Sequence, residues 1–182
     1  MRIIGGKAKG RRFVIPAGLQ IRPTSDRIRE SLFNILPDVQ DGRFLDLFAG
    51  TGSVGMEALS RGAARAVFVE IERLCIEAIK VHLARFGFND REECISATAE
   101  RAVQRLGVRG ERFEVIFMDP PYEEGFVRRT LDEIVESNIL AEDGIVAVQH
   151  SVREKAEEET GRMKLMDERV YGDSVLSFWK WR

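Results

Sequence analysis

Short apolar runs alternate along this chain with stretches whose apolar residues recur at helical spacing. The runs are "RFLDLF" (43–48), "AVFVE" (66–70), "CISAT" (94–98), "FEVIFM" (113–118) and "GIVAVQ" (144–149). Amphipathic stretches at 53–61, 73–86, 99–107 and 127–138 separate them. Strands that are apolar throughout, with helices between them, predict a parallel sheet covered on both faces. Ahead of this, Ile28, Leu32, Phe33, Ile35 and Leu36 form the stripe of a helix, with Thr24, Ser25 or Asp26 available as N-cap and Pro37 as its stop. "RIIGG" and "RRFVIP", joined by a turn rich in Gly and Lys, predict an N-terminal hairpin or extended arm, and Pro16 and Pro23 argue against a helix there. At the other end, "MKLMDERVYGDSVLSFWKW" reads as strand, Gly-Asp turn, strand. This antiparallel hairpin is expected at one edge of the sheet, and the run "REKAEEE" (153–159) is expected to be a solvated helical face. The class is α/β, with an arm over 1–25 and one domain over 26–182.

Composition narrows the setting. Of 182 residues, 44% are hydrophobic and 32% charged, as in soluble globular proteins, and no apolar run approaches the ~18 residues of a membrane span. The basic start lacks the apolar core and cleavage site of a secretory signal, so a cytoplasmic protein is expected. Cys75 and Cys94 fall in a predicted helix and strand without metal-ligand spacing, and they are expected to be reduced and structural, with no metal. The net charge of −2 conceals an asymmetry. Residues 1–25 hold Arg2, Lys7, Lys9, Arg11, Arg12 and Arg22 and no acid, whereas the remainder has 22 basic and 30 acidic residues. Such an arm is either a solvated hairpin or a contact for a phosphate backbone.

After the first predicted strand comes "DLFAGTGSVGMEAL", in which Gly50, Gly52 and Gly55 match G-x-G-x-x-G, and Glu70 ends the next strand. A helix beginning near Ser53 presents free N–H groups to a ligand, and Glu70 is placed to accept ribose hydroxyls. Asp46, four residues before Gly50, separates the candidates. Its carboxylate would repel a pyrophosphate and attract the ammonium and sulfonium cations of S-adenosylmethionine. The loop, with Phe48 at its entry, is therefore assigned to the methyl donor. Thr98 and Ala99, beyond the third strand, are expected at the adenine.

The fourth strand runs into "DPPY". Two prolines hold a fixed, non-helical path, which turns Asp119 and the nearby carbonyls into a rigid set of acceptors. An exocyclic base amine is a poor nucleophile because its lone pair is delocalised into the ring. Acceptors around its N–H groups favour a tetrahedral nitrogen and stabilise the charge that develops during methyl transfer. Asp119, Pro120 and Tyr122 are the expected catalytic set, with Tyr122 stacking on the base. A base reaches such a site only when single-stranded or extruded.

"RIIGG", "RPTSDRIRESLFNIL", "DLFAGTGSVGMEALSRGA" and "DPPY" together resemble the bacterial 16S ribosomal RNA guanine-N2 methyltransferases over nearly the whole chain. The resemblance implies a class I S-adenosylmethionine-dependent (Rossmann-like) fold, a seven-stranded mostly parallel sheet, and a cytoplasmic substrate in small-subunit 16S rRNA. It also places Arg22, Thr24, Asp26, Arg27 and Arg29 beside the pocket, where they would present RNA or order the cofactor. Third-strand motifs of related enzymes often carry Asp or Asn where this chain has Thr98.

The rival readings are an adenine-N6 methyltransferase, which the size disfavours because no target-recognition domain is inserted; a protein glutamine methyltransferase, better served by Asn at 119; and a non-catalytic RNA-binding assembly factor. His82, His150, Trp179 and Trp181 are assigned to packing, the tryptophans at an edge strand. Which nucleotide is modified is not legible in the sequence, and a monomer is expected.

Overall fold

The computed structural model describes residues 1–13, 24–154 and 158–182. Arg22, Pro16 and Pro23 lie outside the described residues, as does the middle of "REKAEEE". Helix α1 (Asp26–Ile35) starts where Ser25 Oγ accepts from Ile28 N at 3.2 Å, and it buries Ile28, Leu32 and Phe33. Then follow β1 (Arg43–Leu47), α2 (Ser53–Ser60), β2 (Arg65–Glu70), α3 (Arg73–Phe86), β3 (Glu92–Ser96), α4 (Ala99–Val108), β4 (Phe113–Met118), α5 (Phe126–Ser137) and β5 (Leu140–Ser151). The chain ends with β6 (Glu159–Thr160), β7 (Met163–Tyr171) and β8 (Ser174–Trp181).

The sheet order is β3-β2-β1-β4-β5-β8-β7-β6, parallel through β5 and antiparallel beyond it. Both faces of the central strands are apolar because both are covered. Phe44, Phe68, Val115 and Phe117 pack with α1, α2 and α3, while Leu45, Leu47, Val67, Ile116 and Met118 pack with α4 and α5.

Four expectations change. The described residues form eight strands, the additional one being the two-residue β6, so Glu159 at the end of the charge run lies in a strand, and Arg153 at its start lies in a turn. The final strand is internal: β8 pairs with β5 on one side and β7 on the other, and its Trp179 is buried there rather than at an edge. Strand β3 begins two residues before its apolar signal, because Glu92 and Glu93 occupy an edge where Arg65 and Arg109 pair with Glu93. Strand β5 begins at Leu140, before "GIVAVQ", with Glu142 and Asp143 exposed.

The N-terminal arm is a docked hairpin. Arg2 and Arg12 form an antiparallel bridge, and Ile3, Ala8 and Phe13 are buried in the core shared with α1, α2 and α3. Glu57 of α2 is fully buried and accepts from Ile4 N (2.8 Å), Gly5 N (2.7 Å) and Arg61 Nε (2.9 Å). Ser60 Oγ donates to Gly5 O (2.6 Å) and accepts from Ala8 N (2.9 Å). A Cβ on Gly6, at φ +71, would stand 1.9 Å from Ser60 O, so only glycine allows this approach. Lys7, Lys9, Arg11 and Arg12 remain exposed on the outer side.

Candidate functional site

The carboxyl ends of β1, β2 and β4 form one rim. Leu47 is level with Val69 on one side and with Met118 on the other, so Glu70 and Asp119 flank Phe48 in the next row. At ~4.8 Å between strands, their Cα atoms stand about 10 Å apart across β1. This is where ligands bind in open α/β sheets.

From β1 the chain turns through Phe48 (φ 57) and Gly50 (φ 52) to Gly52 (φ 71), the left-handed N-cap of α2. Glu70 ties the turn down: its Oε2 accepts from Gly50 N at 2.8 Å, and its Oε1 accepts from Ile71 N (2.8 Å) and Glu72 N (2.9 Å). Asp46 lies beneath, 1% exposed, with Oδ2 accepting from Gly55 N at 2.8 Å. A Cβ on Gly55 would come within 2.4 Å of the Phe68 ring and 3.1 Å of Asp46 Oδ2, so this glycine brings helix and strand together. Burial pushes the Asp46 carboxyl well above its ordinary value. The Gly55 N–H opposes that shift, and the carboxylates of Asp119 and Glu70 add to it.

Asp119 and Tyr122 are half-buried and Pro120 is buried. Thr24 Oγ1 donates to Asp119 Oδ2 at 3.3 Å, which joins the segment before α1 to the acceptor loop. Phe126 packs edge-on against Phe48 at 5.7 Å, bringing the loops after β1 and β4 together. Three carboxylates at the ends of three neighbouring strands make a rim suited to a cation. Among the described residues no group of His, Cys, Asp and Glu is arranged to hold a metal ion, and no helix is long and apolar enough to cross a membrane.

Residues 1–180 match the family described as Conserved hypothetical protein 95. The chain belongs to this family. Ribosomal RNA small subunit methyltransferase D of Escherichia coli K12 is 34% identical over 173 residues, which cover 94% of this chain and 85% of that one. The solved structure of a hypothetical protein from Thermus thermophilus matches with a TM-score of 0.82 and 31% identity over 99% of each chain. An Agrobacterium tumefaciens SAM-dependent methyltransferase shares the fold, with a TM-score of 0.62 at 19% identity over 84% of this chain and 60% of that one. The chain thus has the fold of that methyltransferase, an α/β sheet with helices on both faces.

Set on this family fold, the predicted residues separate into those at the rim and those elsewhere. Asp46, Phe48, Gly50, Gly52 and Glu70 gather at the loop after β1, while Asp119, Pro120 and Tyr122 follow β4. Thr98 is the N-cap of α4, its side chain accepting from Arg101 N at 3.4 Å, and the adjacent Ala99 is buried. Arg27 is exposed, and so is Arg2, whose Nε is 3.8 Å from Asp26. Arg29 is a correction. Its side chain is fully buried and its Nη2 donates to Arg2 O and Asp26 Oδ1, both at 2.7 Å, so it braces the hairpin against α1 and offers RNA nothing.

Sequence reasoning missed Glu57, Ser60, Gln149 and Ser174. Glu57 is an acid in an otherwise small and apolar helix, and Gln149 ends an apolar strand; isolated polar groups in such runs were the available signal. His82 is buried against Phe13 and Phe86. His150 is buried between Ser151 O (3.0 Å) and Ser177 Oγ (3.1 Å). Burial, with nearby carboxylates, holds the thiols of Cys75 and Cys94 up at about 11 and about 12, which keeps both protonated.

Proposed function

We propose that this chain transfers a methyl group from S-adenosylmethionine to the N2 amine of a guanine in 16S rRNA of the small ribosomal subunit, as a cytoplasmic monomer. The observation that carries the reading is the clustering of Asp46, Glu70 and Asp119 at neighbouring strand ends, close enough that the latter two push the Asp46 carboxyl up, so that a sulfonium cation there relieves their repulsion and a phosphate adds to it. The ribosomal RNA methyltransferase name of the Escherichia coli relative supports the substrate class.

The donor supplies an electrophilic methyl on sulfur. Glu70 would accept the donor's ribose hydroxyls beside the loop it ties down at Gly50, and the buried Asp46 would set a negative potential beneath that loop. Asp119 and the adjoining carbonyls would accept from the guanine N–H groups, aim the nitrogen lone pair and stabilise the positive charge that grows on it as the N–C bond forms and the S–C bond breaks; the donor leaves as the neutral thioether and the surplus N–H proton passes to water. Tyr122 supports the base face. The exposed bases of the hairpin supply phosphate contacts, which give affinity without sequence choice. Choice of the guanine then falls to the shape of the ribosomal particle.

The direct test is to incubate the protein with labelled donor and unmethylated small subunits, digest the RNA to nucleosides and weigh the product. N2-methylguanosine supports the assignment; N6-methyladenosine transfers it to the adenine class; no product, together with no donor binding in calorimetry, leaves an assembly factor.

Two variants probe the parts. Replacing Lys7, Lys9 and Arg12 with alanine is expected to flatten the slope of log affinity against log salt by ~0.7 for each phosphate of single-stranded RNA that the variant no longer neutralises. An unchanged slope removes the hairpin from the interface. Asp46→Asn tests the buried charge. A carboxyl held above its unfolded value contributes stability that is complete below about pH 4 and lost as pH rises through the folded value. The variant is therefore expected to lose less stability than the wild type in scanning calorimetry as pH is raised from acid to neutral. Its donor affinity should fall about tenfold, through loss of the negative potential beneath the donor's cations. Parallel pH profiles for the two proteins would discount the buried charge.

A further inference from the structure

The acceptor loop is held from a direction its own sequence does not reveal. Gln149 Nε2 donates to Tyr122 Oη at 3.1 Å, and Tyr122 Oη lies 3.0 Å from Ser174 Oγ. Tyr122 Oη accepts from the amide, and between Tyr122 Oη and Ser174 Oγ either hydroxyl can donate. One residue further, Ser151 Oγ donates to Glu123 Oε1 at 3.3 Å, and Glu123 has φ 62. Gln149 and Ser151 are two apart on β5 and share a face, and Ser174 opens β8 directly opposite Ser151. The insertion of β8 beside β5 is what brings Ser174 to the loop after β4.

Gln149 and Ser174 are 4% and 2% exposed, and Gln149 Oε1 is buried with no hydrogen-bond partner among the described residues. A buried amide satisfied at one end only is costly, and an apolar side chain would serve the strand better. The amide is accounted for by its other end. The tyrosine hydroxyl lies on the axis of ring rotation, so two hydrogen bonds there hold the far end of the ring in place, and they orient its plane only because a phenol O–H prefers to lie in that plane. A base stacked on that ring inherits its plane, and small misplacements of a reacting group cost heavily in rate.

We infer that Gln149 and Ser174 are positioning residues for methyl transfer, setting the plane of the Tyr122 ring through its hydroxyl and so the approach of the target base. The inference rests on the base-methylating site proposed above. It assigns the C-terminal hairpin a role in the reaction, as the outer anchor of the acceptor loop.

The test is a double-mutant cycle among Tyr122→Phe, Gln149→Leu and Ser174→Ala, with kcat and KM measured on unmethylated small subunits and donor Kd by calorimetry. Gln149→Leu and Ser174→Ala are each expected to lower kcat by about fivefold to tenfold, the worth of one hydrogen bond, Tyr122→Phe, which loses both bonds, by more, and all three to leave donor Kd unchanged. Placed on Tyr122→Phe, Gln149→Leu and Ser174→Ala should each cost less than about twofold more, because the hydroxyl they act through is gone. Equal costs in both backgrounds, or wild-type kcat in Gln149→Leu and Ser174→Ala, overturn the inference. Should Gln149→Leu fail to fold, the Ser174→Ala arm of the cycle decides alone. Full activity in Tyr122→Phe with loss in Tyr122→Ala also overturns the positioning role while leaving the stacking role in place. A wild-type protein that makes no methylated guanosine removes the underlying reading instead, so the two failures are distinct.

Discussion

Asp119→Ala is expected to lower kcat for methyl transfer by about 10² to 10³ while donor affinity stays near wild type, by analogy with the loss of one positioned group facing developing charge. The carboxylate follows β4, is half-buried and is oriented by Thr24 Oγ1, and the prolines after it deny the loop a helical alternative. Because the side chain is half-buried and bonded to Thr24, urea unfolding of the variant accompanies the assay, and a wild-type midpoint assigns the loss to the chemistry. Single-turnover assays with saturating donor separate this from a binding defect. A turnover within twofold of wild type would leave Asp119 without a part in the chemistry, and the acceptor set would then have to be sought among backbone carbonyls.

The largest expected loss of stability is at Glu57→Ala, about 3 kcal/mol in urea unfolding. The wild-type carboxylate is fully buried and takes two hairpin N–H groups and the Arg61 guanidinium, with the buried Arg29 charge close enough to feel it. Truncation leaves the two N–H groups and the Arg61 guanidinium without this acceptor, while Arg29 keeps Asp26. Glu57→Gln keeps the volume and one acceptor oxygen, so it should cost less. Hydrogen exchange locates the effect: the Ile4 and Gly5 amides should lose protection well before those of β1 and β4. An unchanged urea midpoint would mean that the hairpin is held by Ile3, Ala8 and Phe13 alone.

These two sites mark the boundary of what a linear reading reaches. Asp119 was legible because everything that defines it is local: an apolar strand, an acid and two prolines within a few residues. The glycine loop was legible for the same reason, and so were the five parallel units, since a strand buried on both faces has few ways to appear in sequence. Glu57 was not: its isolation among the small and apolar residues of "SVGMEALS" marks it as unusual but does not say what it binds. Its partners lie 52 and 53 residues earlier in the chain. Arg29 misled in the opposite sense, as a basic residue in a basic segment that turns out to be enclosed between the hairpin and α1.

From the sequence alone came the α/β alternation and the placing of the glycine loop and the "DPPY" segment at the same end of the sheet, because periodicity and turn chemistry act over a few residues. The tertiary structure alone decided that the arm is a docked hairpin, that the last strand lies inside the sheet, and that Gln149 and Ser174 reach Tyr122. Each of those outcomes depends on which distant backbone and side-chain groups find partners once water is excluded, and a polar residue carries no mark of its partner until the chain has closed around it.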